Sequence, residues 1–224
     1  MFESVHKSFD IEIVLNRIEQ FMVQYPKAAM FQLYEQGFTS MFEQLLSCII
    51  SIRTLDEVSI PVSKRLFAKA RTPQEILQLS VQELEGLLYG SSYNGQKAYT
   101  MLGIAQTVME QYHGELPASY KLLTDLKGVG PKCANLVLGI AAKMPAISVD
   151  SHVHRVVNRW GFIKTTTPEK TLAALEKLVP QQRWIDINRL LMPFGKYHCT
   201  ANMPKCSTCP VLEYCEQVGV EKHK

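Results

Sequence analysis

Long apolar runs are missing from this 224-residue sequence. None approaches the roughly 20 residues that a membrane-spanning helix needs, which excludes functions built on a membrane span. The start, MFESVHKSFDIEIV, lacks the basic-then-apolar pattern of a secretory signal, so the expectation is an intracellular protein. A strong charge of one sign is lacking too: the formal net charge is +3, too small to announce a nucleic-acid binder by itself. Strand signals are scarce, and no low-complexity linker divides the chain. What is there is an ordinary globular composition, long enough for one large domain or two modest ones with real cores.

The distribution of charge says more than its sum. Lys127, Lys132, Lys143, Arg155 and Arg159 fall within one stretch that holds a single anion, Asp150. A basic segment on a nearly neutral body is the footprint of a phosphate-binding face, and equally that of a solvated helix surface.

Helix signals recur along the chain. Ile11, Val14, Leu15, Ile18, Phe21 and Met22 form an apolar stripe at helical spacing that should stop before Pro26. Ser40 with Glu43, Thr72 with Glu75 and Ser80 with Glu83 are capping boxes, and Thr167-Pro168 opens a further helix. Gly114 stands where a helix-terminating glycine belongs. The expectation is an all-α protein with short connections.

Six cysteines fall into two groups. Cys48 and Cys133 lie in apolar stretches and read as small buried hydrophobes. Cys199, Cys206, Cys209 and Cys215 crowd together with the spacing C-x6-C-x2-C-x5-C. Disulfides belong to secreted proteins, and nothing here suggests secretion, so zinc or an iron–sulfur cluster is the reading. Zinc sites usually present two close pairs, whereas here one close pair is flanked by longer arms. That spacing favours the cluster.

The segment LKGVGPK, from Leu126 to Lys132, joins a turn to a helix start. Gly128 and Gly130 admit backbone angles closed to other residues, and Pro131 sets the first helical turn. The following KCANLVLGIAA is apolar nearly all round, so its helix should be central, with its N–H groups and positive end open to an anion. Together these form a helix-hairpin-helix pattern. Lys132 is out of place in buried core. Partial desolvation and the positive end of its own helix both favour a neutral amine, which is a nucleophile for carbonyl-like carbons. Eighteen residues on, SVDSHVHRVVNRWGF opens another helix. Val153, Val156, Val157 and Trp160 mark its buried side, and His152, Arg155 and Arg159 share a polar face. Asp150 stands at the N-cap, where capping explains it sufficiently. A carboxylate there could also stabilise a developing cation.

In that order, LKGVGPK, VDSHVHR and the four-cysteine pattern resemble the endonuclease III family, helix-hairpin-helix DNA glycosylase/AP lyases. The resemblance runs from IISIRTLD to the last cysteine. It implies a two-lobed all-α fold: a six-helix barrel lobe over residues 34–144 and a discontinuous lobe, 1–33 with 145–224, holding a [4Fe-4S] cluster on Cys199, Cys206, Cys209 and Cys215. It further implies a monomer acting on nucleoid DNA in the cytoplasm, with a duplex carrying a damaged base or abasic site as partner. Lys132 would attack C1′ of a flipped-out nucleoside, with Asp150 stabilising the sugar cation. Gly128, Val129 and Gly130 would offer amides to a phosphate, through a bound monovalent cation, with Lys127 and His152 also against DNA.

Three departures stand out. Lys127 replaces the proline common in this hairpin, adding a cation beside the phosphate site. Arg53 stands where a glutamine commonly fills the void left by the flipped base, and Tyr93 falls near the position of an apolar wedge. Both can stack or hydrogen-bond with the orphan base, and Arg53 could instead contact a phosphate. The expectation is a glycosylase/lyase for oxidised pyrimidines. The alternatives are a mismatch-directed or abasic-site enzyme of the same fold, and a non-catalytic DNA-binding module with a structural metal.

Overall fold

The computed structural model describes residues 8–224, and every regular element among them is helical. Residues 1–7 lie outside the described residues; they begin the segment read above as lacking a secretory signal and the expected 1–33 portion of the second lobe. The helices are α1 (Ile11–Met22), α2 (Ala29–Glu35), α3 (Met41–Ser51), α4 (Asp56–Phe67), α5 (Pro73–Leu77), α6 (Val81–Leu87), α7 (Asn94–Tyr112), α8 (Tyr120–Asp125), α9 (Pro131–Ala141), α10 (Ser151–Arg159), α11 (Pro168–Leu178) and α12 (Trp184–Tyr197). They divide into two compact units, one running to Ala28 and resuming over Ile147–Lys224, the other Ala29–Ala146.

Local chemistry sets most helix starts. Asp10 accepts from the N–H groups of Glu12 and Ile13 to begin α1. All three capping boxes form, at Ser40/Glu43, Thr72/Glu75 and Ser80/Glu83. Thr167 caps α11, with Pro168 in its first turn. Each such cap contributes about 1 kcal/mol by satisfying donors that the helix cannot.

In the Ala29–Ala146 unit, α3 and α9 pack together at the centre. Every residue from Phe42 to Ile50 is buried, as is every residue from Cys133 to Ile140. A helix buried on all sides must be covered by several neighbours. α2, α4 and α7 also pack on α3, while α8 and α2 pack on α9. The two cysteines in these helices, Cys48 and Cys133, are both buried. The other unit gathers α1, α10 and α12 around Trp160 and Phe194, with Val14, Leu15, Ile18, Val153, Val157 and Leu191 buried among them. Burying each such side chain contributes roughly 1.5–3 kcal/mol.

Candidate active site

The hairpin begins where α8 stops. Leu126 is buried and closes that helix through its N–H to Leu123 O. Gly128 then takes φ +85°, a left-handed conformation, and an added Cβ would meet Thr100 Cγ2 at 3.0 Å. Gly130 does not share that conformation. Its φ of −96° and ψ of 175° are extended backbone open to any residue, which corrects the sequence expectation. What glycine supplies there is open space: a Cβ would meet nothing within 4 Å. The three hairpin amides also differ. Val129 is buried and spends its N–H on Leu126 O at 3.1 Å, while those of Gly128 and Gly130 have no partner among the described residues.

No side chain caps α9, and no acidic residue lies in its first turn. Its positive end therefore stays open, flanked by exposed Lys127 and Lys132. Lys132 sits just inside that end on the solvent side, so the partial desolvation expected of it is not found. Helix start and exposed amine together suit a negatively charged, electrophilic ligand.

Arg53 and Tyr93 come together from loops 40 residues apart in sequence. Arg53 Nη1 donates to Tyr93 Oη at 3.2 Å, and the guanidinium carbon lies 5.7 Å from the ring centroid. Both residues are exposed, and both are left-handed, at φ +53° and +58°. Ser92 Oγ donates to Arg53 O at 2.7 Å. Beneath them is a residue that sequence reasoning missed. Lys97, only 5 % exposed, donates from Nζ to Ile50 O (2.7 Å), Ile52 O (2.9 Å) and Thr54 Oγ1 (3.0 Å). Burial pushes its ammonium down to about 8. The signal was present: Lys97 heads the buried stripe Met101, Ile104 and Val108 at helical spacing.

In the other unit, Asp150 caps α10. Its Oδ1 accepts from His152 N and Val153 N, both at 2.9 Å, while Oδ2 takes no hydrogen bond from any described residue. Capping thus occupies one of the two oxygens of the carboxylate. His152 is half-buried; burial pushes its pKa down, and the Asp150 carboxylate opposes that shift. Arg155 Nη2 reaches His152 Nδ1 (3.3 Å), Gly195 O (2.7 Å) and Cys199 O (3.1 Å). Lys132 and Asp150 belong to different units.

The expected polar face of α10 needs correcting. Arg159 is 7 % exposed and donates to Thr200 O (2.8 Å), Ala201 O (3.0 Å) and Cys199 Sγ (3.4 Å). It pins the cysteine loop and offers nothing to solvent, so the basic stretch displays less charge than it contains. Cys199, Cys206, Cys209 and Cys215 line one cavity, with Arg159, Trp160, Phe194 and His198 among its walls. Burial pushes three of the thiols up: Cys199, Cys209 to about 12 and Cys215 to about 11. Among the described residues no three His, Cys, Asp or Glu side chains converge tightly enough for a single ion.

Comparison with known proteins agrees with this geometry. The family described as HhH-GPD superfamily base excision DNA repair protein matches residues 46–181. The chain is 42 % identical over 178 residues to an Endonuclease III of Thermotoga maritima, covering 80 % of this chain and 84 % of that one. It is 34 % identical to an Endonuclease III of Haemophilus influenzae, covering 81 % and 86 %. Among solved structures it is similar to a trapped Endonuclease III–DNA covalent intermediate, with a TM-score of 0.81 and 30 % identity over 92 % of this chain and 94 % of that one.

Proposed function

Because the chain belongs to the HhH-GPD superfamily of base excision DNA repair proteins, in its endonuclease III family, we propose that it excises oxidised pyrimidines and nicks the abasic sites it creates. Endonuclease III proteins are DNA glycosylase/AP lyases, and the chain is an enzyme of base excision repair. Its partner in this reading is duplex DNA with a damaged base or an abasic site, met by a monomer on nucleoid DNA in the cytoplasm. No described helix is long and apolar enough to cross a membrane. In this reading the hairpin-bearing lobe is the Ala29–Ala146 unit rather than the expected 34–144, which would divide α2, and the cluster lobe is the remainder.

The observation that carries the proposal is an exposed amine at the uncapped start of a buried helix. Gly128 and Gly130 turn open amides toward a phosphate, with Lys127 beside them and a monovalent cation completing the contact. Lys132 Nζ forms a bond to C1′ as the glycosidic bond breaks, and the base leaves with the electron pair. The nitrogen loses a proton and the C1′–O4′ bond opens, O4′ taking the electron pair and a proton, which leaves an imine at C1′. The imine acidifies C2′, whose proton is lost as the phosphate on C3′ departs. Asp150 contributes its unoccupied Oδ2 as a negative charge for the sugar cation. Arg53, Tyr93 and His152 make the remaining DNA contacts.

Four thiols on a shared cavity, three of them buried and Cys209 half-buried, are a donor set that fits a [4Fe-4S] cluster, and Arg159 already hydrogen-bonds one of them. When bound, the cluster supplies cross-linking and charge; the lyase chemistry needs no electron from it.

The test is borohydride trapping on a duplex containing thymine glycol. A covalent adduct that disappears in Lys132→Gln is expected. No adduct on either thymine glycol or abasic duplex would leave only a DNA-binding module. Adducts on abasic or G·T duplexes without thymine glycol turnover would assign the narrower chemistry that the altered Arg53 and Tyr93 motivate.

A further inference from the structure

The ammonium of Lys97 serves more than the helix it ends. α3 finishes at Ser51, and its last carbonyls need donors because the helix cannot supply them. A lysine reaching over from α7 to Ile50 O meets that need. Lys97 makes two further bonds past the helix end, to Ile52 O and Thr54 Oγ1, on either side of Arg53. Thr54 Oγ1 passes the link onward: it also accepts from Ser92 N at 3.1 Å and donates to Ile52 O at 3.3 Å. Ser92 in turn grips Arg53 O and immediately precedes Tyr93. All three ammonium protons are used, and no carboxylate pairs with the charge among the described residues.

Left-handed conformations in residues other than glycine persist only where the surroundings over-determine them. Here two of them, at Arg53 and Tyr93, are tied through a single node of hydrogen bonds whose charged member is Lys97. We propose that Lys97 is a positioning residue for damage recognition, its ammonium fixing the two loops so that Arg53 and Tyr93 meet a lesion-bearing duplex as one rigid pair. The inference rests on the repair function proposed above and adds to it the residue that sets the geometry of the recognition pair.

The experiment uses the full-length holoprotein. It measures affinity for a duplex carrying a tetrahydrofuran abasic analogue and for the same duplex undamaged. Lys97→Met should lower the ratio of the two affinities about tenfold, the loss falling on the damaged duplex. Arg53→Ala should lose a similar amount, and Lys97→Met combined with Arg53→Ala should lose little more, because both act through one pair. Thr54→Val keeps the Lys97 bonds to Ile50 and Ile52 and removes the three that meet at Thr54 Oγ1, with Lys97, Ser92 and Ile52. It should show the same loss in smaller measure, and it carries the test if Lys97→Met does not fold. A wild-type ratio in the variant used, or losses that add in full, would overturn the inference. A wild-type protein with no preference for the abasic analogue would instead remove the repair reading, and this inference with it.

Discussion

Two helix starts in this molecule are built from opposite materials. α9 follows Gly130, with no capping side chain, no acid in its first turn and an exposed lysine at its mouth. α10 follows Asp150, whose carboxylate closes two of its N–H groups. Both N-cap residues are extended, so the backbone does not distinguish them. The difference lies in who satisfies the positive end. α10 brings its own anion, whereas α9 leaves the place for one from outside. An uncapped start is a defect in a structural helix and an asset in one that must receive a phosphate.

Several substitutions would break or sharpen this contrast. Lys132→Gln removes the amine from the open start. Strand nicking and borohydride trapping should fall by at least about 10³-fold while DNA binding survives, as expected when a nucleophile is lost. Retained nicking would show that the open start binds without reacting. Asp150→Asn keeps the cap and discards the charge. Its unfolding free energy should stay within about 0.5 kcal/mol of wild type, and single-turnover base excision should slow by about 10²-fold. Asp150→Ala should add about 1 kcal/mol of destabilisation by opening the cap. Equal activity in wild type and Asp150→Asn would reduce Asp150 to capping alone.

The glycines divide conformation from access. Gly128→Ala forces a Cβ into left-handed backbone and against Thr100, and should cost about 1–2 kcal/mol in urea denaturation. Gly130→Ala meets neither obstacle and should stay within about 0.5 kcal/mol, so that any loss it causes appears in DNA affinity. A pH-dependent effect belongs to a third helix end, the C-terminus of α3, closed by Lys97. Folded, that amine titrates near about 8; unfolded, near 10.5. Between those values the unfolded chain holds more protons than the native one, so the contribution of Lys97 to stability should rise with pH across the window. Below about 8 both states are protonated and the contribution is level. The difference in urea midpoint between wild type and Lys97→Met, followed across that range, checks the sign.

What was legible in the sequence was mostly chemistry between neighbours in the chain. Capping boxes span three residues, and the four cysteines crowd into a short segment, so each pattern carries its own partners. The stripe of α1 and its stop before Pro26 are equally local. Arg159 was misplaced because helical spacing ranks it with Arg155, whereas its acceptors lie in a loop 40 or more residues further on. Lys97 escaped notice for the same reason: its acceptors precede it by 43 to 47 residues. Gly130 shows a different failure. A glycine can be present for the space it leaves rather than for the angles it adopts, and sequence does not separate the two.

The left-handed backbone at Arg53 and Tyr93 bears on any attempt to engineer this protein. Glycine would adopt either conformation with less strain, so a screen that rewards heat resistance alone should select these two positions early. The winners would unfold later and lose the exposed cation and ring. Screening on a damaged duplex at elevated temperature would instead favour changes elsewhere, leaving the two side chains in place.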